Sequence, residues 1–138
     1  MKVLMAIRSH TLAPLVERGF RDAGAEVETL DLDELASWIP HGSRLREISQ
    51  HFIGKDLVVY ISDEMTFADS GGPYLRQVAS WAESGCVPVI VVASTCRIST
   101  RELRSMGVEA GYKVATGEDV RRVVQTWAPR HVVPSRVE

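Results

Sequence analysis

Three short polar segments of this sequence, each directly after a run of strand-like composition, gather several kinds of side chain that could act on a small ligand. Arg8-Ser9-His10-Thr11 follows Lys2 to Ile7, Asp63-Glu64-Met65-Thr66 follows Asp56 to Ser62, and Ser94-Thr95-Cys96-Arg97 follows Val87 to Ala93. The segments supply hydroxyls, an imidazole, carboxylates, a thiol and guanidinium groups. Arginines and hydroxyls beside helix starts have the chemistry of an anion site, because free helix N–H groups and guanidinium forks both donate to oxyanions. Arg8, Ser9, His10, Thr11, Asp63, Glu64, Thr66, Ser94, Thr95, Cys96, Arg97 and Ser99 are therefore the candidate ligand-binding residues. No catalytic residue is assigned.

Blander roles compete for the same side chains. Cys96 lies beside Arg97 and ahead of a capped helix, surroundings that favour a thiolate, and His10 could serve it as a base. Ser9 or Thr11 is expected instead to cap the first helix, and the adjacent Asp63 and Glu64 diverge on an extended chain and form no acid–base dyad. His41, His51 and His131 have no ligand spacing, so no metal is expected. Gly71-Gly72-Pro73 permits a tight turn without being a phosphate-binding fingerprint, and no cofactor is identified. Cys86 and Cys96 bracket one expected strand, about 30 Å apart at ~3.3 Å per residue, too far to bridge.

Placing these segments together requires strands and helices in alternation. Residues 2–7 read as a buried strand. Leu12, Leu15, Val16, Phe20 and Ala23 then recur at helical spacing up to Gly24, a left-handed C′ residue, with Pro14 in the first turn. The carboxylates of Glu26-Val27-Glu28-Thr29-Leu30 mark a strand at the sheet edge. Residues 33–54 form an irregular bridge, with Trp38-Ile39-Pro40 as an apolar patch on the sheet face or facing a partner, and Gly54 closes it. Asp56 to Ser62 is the third strand, and a helix runs from Pro73 to near Gly85. Val87 to Ala93 is the fourth strand. Ser99 and Glu102 have capping-box spacing for a helix that stops at Gly107. Gly111 to Ala115 is the last strand, and Thr116 and Asp119 cap a final helix with Val120, Val123, Val124 and Trp127 on one stripe.

This alternation predicts an α/β fold, one doubly wound parallel sheet of about five strands with helices on both faces, Rossmann-like or flavodoxin-like, in the order 2-1-3-4-5. One domain over residues 1–128 and a tail over 129–138 are expected. Hydrophobic residues are 45% and charged residues 25% of the chain, the balance of a globular domain. A net charge of −2 presents no basic face for extended nucleic acid. Arginines outnumber lysines 13 to 3, a bias that fits a GC-rich genome as well as anion recognition. The apolar N-terminal run is too short for a signal-peptide core or a membrane span, which places the protein in the cytoplasm. A homodimer is compatible with this reading.

From Val87 to Val114, the strand, the polar turn and Arg101-Glu102-Leu103-Arg104-Ser105-Met106-Gly107-Val108-Glu109-Ala110-Gly111-Tyr112-Lys113-Val114 resemble a segment of bacterial glycerate kinases. Ala6 and Ser9 match that family's first turn, where Arg8 and Thr11 replace an aspartate and a lysine. Asp56 to Met65 is similar to a later family segment, with Glu64 matching its glutamate. The resemblance covers roughly residues 1–12 and 55–127. The family's glycine-rich second domain has no counterpart, so the resemblance implies a small sheet domain that binds an anionic metabolite, with an incomplete kinase site and no autonomous kinase activity. Two alternatives stand beside it: a non-catalytic interaction or regulatory module of the same fold, and a flavodoxin-like flavin-binding protein, whose first loop would need more glycine than Ser9 to Pro14 offers. A phosphoacceptor receiver needs an acidic pair after strand one and a lysine after strand five. Here Arg8-Ser9 fills the first place and Lys113 falls within the last expected strand, so the receiver reading fails at two of its required positions.

Overall fold

The computed structural model describes residues 1–8, 10–32, 48, 50–65, 71–96 and 98–128. The chain runs β1 (Lys2–Ile7), α1 (Ala13–Asp22), β2 (Glu26–Asp31), β3 (Leu57–Met65), α2 (Gly71–Ser84), β4 (Val89–Cys96), α3 (Thr100–Ser105), β5 (Ala110–Lys113) and α4 (Gly117–Trp127). The strands form one parallel sheet in the order β2-β1-β3-β4-β5. This is the doubly wound, flavodoxin-like arrangement expected from the alternation. The bridge residues Trp38 and Ile39 and the tail 129–138 lie outside the described residues.

Strand side chains alternate between two cores, because successive residues of a strand point to opposite faces. Leu4, Ala6, Val58, Tyr60, Val89 and Val91 pack beneath α2 and α3 with Ile48 and Phe52. Val3, Met5, Leu57, Val59, Ile90 and Val92 pack on the other face beneath α1 and α4. Burial on both faces explains why these strands read as continuous apolar runs. Among the described residues β2 pairs only with β1, and its Glu26, Glu28 and Thr29 are exposed as an edge strand allows. Among the described residues, no helix is long and apolar enough to cross a membrane.

α1, α2 and α3 end alike. Ala25, Val87 and Val108 donate backbone N–H groups to Phe20, Ala82 and Leu103, while Gly24, Cys86 and Gly107 donate to Arg21, Glu83 and Arg104. These paired bonds satisfy the last free carbonyls and require a left-handed C′ residue. Gly24 has φ +90° and Gly107 φ +86°, whereas Cys86 takes the same role at φ 56°.

Local expectations need correction at several boundaries. α1 starts from Leu12 with no side-chain cap, so Thr11 does not cap it; Leu12 is instead buried against the sheet. α2 begins at Gly71 rather than Pro73. β4 starts at Val89, two residues late, and β5 covers Ala110–Lys113 rather than Gly111 to Ala115. β3 and β4 each continue three residues beyond their apolar runs, to Met65 and Cys96. Hydrophobicity marks only the part of a strand covered by helices. The extensions pair with each other, Glu64 opposite Thr95 and Met65 opposite Cys96, and backbone pairing does not depend on apolar side chains.

Candidate functional site at the carboxyl edge of the sheet

At the carboxyl edge the chain leaves β1 at Ile7, which stands opposite Ile61. The backbone N–H of Arg8 donates to the Ile61 carbonyl at 2.7 Å, so β3 fixes where this residue departs from the sheet. The Nε of Arg8 is buried. One step further along β3 is Ser62, the sole buried polar residue among those described, opposite Ala93 of β4. Sequence reading passed over Ser62 as the end of a strand; a hydroxyl closing an otherwise apolar run was its only signal.

His10 is exposed and its Nε2 lies 3.4 Å from Asp31 Oδ2 at the end of β2. Asp31 was also missed, since nothing local connects the last residue of an edge strand to a loop twenty positions earlier. This contact draws His10 toward β2, three strand positions from the end of β4, where it was considered as a base for Cys96. Thr11 is exposed. Asp63 is exposed within β3, and Ser94 and Thr95 are half-buried within β4, so these candidates belong to the paired strand extension instead of to loops. The backbones of Glu64 and Cys96 belong to the same extension. Ser9, Thr66 and Arg97 lie outside the described residues. Lys113 is the last residue of β5 and is exposed, so it stands at the strand's end.

Ser99 caps α3 as expected: its Oγ accepts from the Glu102 backbone N–H at 3.2 Å and donates to Glu102 Oε1 at 3.1 Å. The start of this six-residue helix therefore already holds a carboxylate of its own. An anion expected beside Ser99 would meet that negative charge, and the free donors it needs are in part taken. α4 is closed in the same way. Asp119 accepts from the backbone N–H groups of Ala115 at 2.9 Å and Thr116 at 3.1 Å, and Thr116 Oγ1 accepts from Asp119 N–H. Those two backbone bonds are the main reason its carboxyl is held below the usual carboxylate range. Among the described residues, no three His, Cys, Asp or Glu side chains gather where they could hold a metal ion.

No protein-family model and no curated protein matches this sequence. Solved structures do match its fold. A response regulator receiver domain from Rhodospirillum rubrum is 16% identical, with a TM-score of 0.60 over 93% of this chain and 94% of its own. The phosphorylated cyanobacterial phytochrome response regulator RcpA is 14% identical, with a TM-score of 0.61 over 95% of this chain and 96% of its own. An atypical orphan response regulator, whose structure revealed a phosphorylation-independent regulatory mechanism, is 17% identical, with a TM-score of 0.57 over 91% of this chain and 93% of its own.

At these identities the likeness establishes a receiver-type fold. It overturns the kinship with glycerate kinases and, with it, the reading of a kinase-derived domain for a small anionic metabolite. The stretch that suggested that kinship contains a buried strand, a capped helix and the left-handed Gly107. These are local solutions that any doubly wound sheet uses, so they do not discriminate between families.

Proposed function

We propose that this chain is a regulatory interaction module that keeps the receiver fold and works through protein contacts without accepting a phosphoryl group. The observation that carries this reading is Arg8. Phosphoryl transfer to a carboxylate depends on a cation that neutralises charge on the transferring group, commonly Mg²⁺ held by carboxylates and waters. A receiver places an acidic pair after its first strand for that purpose. Here the residue at that place carries a guanidinium, and its backbone is tied to Ile61. A fixed positive charge there opposes capture of a divalent cation.

The other required group is closer to its place than the sequence implied, since Lys113 ends β5. Lys113 is nevertheless still part of β5, so the missing acidic pair is the clearer departure at this edge. The phosphorylation-independent mechanism described for the atypical orphan regulator shows that a protein of this fold can regulate without the modification. We assign the module to residues 1–128, with 129–138 as a tail, and place it in the cytoplasm with protein partners and no nucleic acid.

The test is incubation of the purified protein with Mg²⁺ and a small phosphodonor such as acetyl phosphate, followed by intact-mass measurement. No added phosphate is expected, and Mg²⁺ should leave the amide signals of Arg8, Ser62 and Asp63 in place. A hydroxylamine-sensitive phosphate that disappears in Asp63→Asn would overturn the reading.

A further inference from the structure

We draw no further inference here: the strongest candidate, the cleft at the amino edge of the sheet between the ends of α2 and α3, lined by the exposed Cys86 with Glu83, Arg104 and Glu109, carries nothing, because its charges are of both signs, its thiol is a lone cysteine, and nothing in the structure shows what covers it.

Discussion

Gly19 of α1 lies so close to Val120 of α4 that a Cβ built on the glycine would come within 2.5 Å of Val120 Cγ1. The two helices that cover one face of the sheet are thus in contact at a point where only hydrogen fits. Glycine in a helix interior normally loses about 1 kcal/mol relative to alanine, so its presence here reflects the approach of α4. Val120 is 3% exposed and β-branched, and in a helix its preferred rotamer is strongly favoured, which limits relief by rotation.

Gly19→Ala should therefore destabilise the protein by about 1 kcal/mol net, an overpacking loss of roughly 1–3 kcal/mol reduced by the gain in helix propensity. Pairing it with Val120→Ala should recover part of the loss, giving a coupling larger than about 0.5 kcal/mol in a double-mutant cycle. Urea denaturation of the four proteins measures this. Additive effects would mean that α1 and α4 relax apart freely.

Cys86 supplies the second prediction. It holds the C′ place of α2 at φ 56°, where the corresponding ends of α1 and α3 use glycine. Left-handed geometry costs an L-residue about 1–2 kcal/mol, and glycine returns roughly 0.5–1 kcal/mol of that through its freer unfolded state. Cys86→Gly should thus raise stability by about 0.5–1 kcal/mol, while Cys86→Ala, which keeps the Cβ, should give no such gain. Thermal unfolding under reducing conditions compares the three. A loss of stability in the glycine variant would show that the thiol's own contacts outweigh the strain.

What could be read from sequence divides along the range of the interactions involved. The edge position of β2 was visible in Glu26 and Glu28, because an unpaired strand side tolerates charge. The caps at Ser99 and Thr116 were visible because each closes on a residue three positions away. The joint extension of β3 and β4 was not, since Glu64 and Thr95 meet only once the sheet is assembled. Asp31 beside His10 and the contact of Gly19 with Val120 were hidden for the same reason. At the carboxyl edge, Arg8-Ser9 and the place of Lys113 spoke against a phosphoacceptor receiver, and the local strand and cap signals, which any doubly wound sheet shares, could not select the receiver-type fold.

The last prediction concerns Asp119 and pH. Its carboxylate accepts from the backbone N–H groups of Ala115 and Thr116 at the start of α4, which holds its pKa below the usual 3.8; Arg122 adds a smaller contribution in the same direction. The folded state thus binds this proton more weakly than the unfolded chain. A carboxyl group depressed in this way contributes stability that is fully present above its unfolded pKa and disappears as pH falls through the folded value. Asp119→Asn retains an oxygen that can accept at the helix start but removes the charge. The stability difference between wild type and Asp119→Asn should be constant near neutrality and shrink on acidification below about pH 4. Urea midpoints across that range provide the measurement, with Glu118→Gln as a control because its carboxylate pairs with Arg122 at 3.5 Å and not with the backbone. A difference that stays constant into strong acid would show that the oxygen geometry at the cap matters and the charge of Asp119 does not.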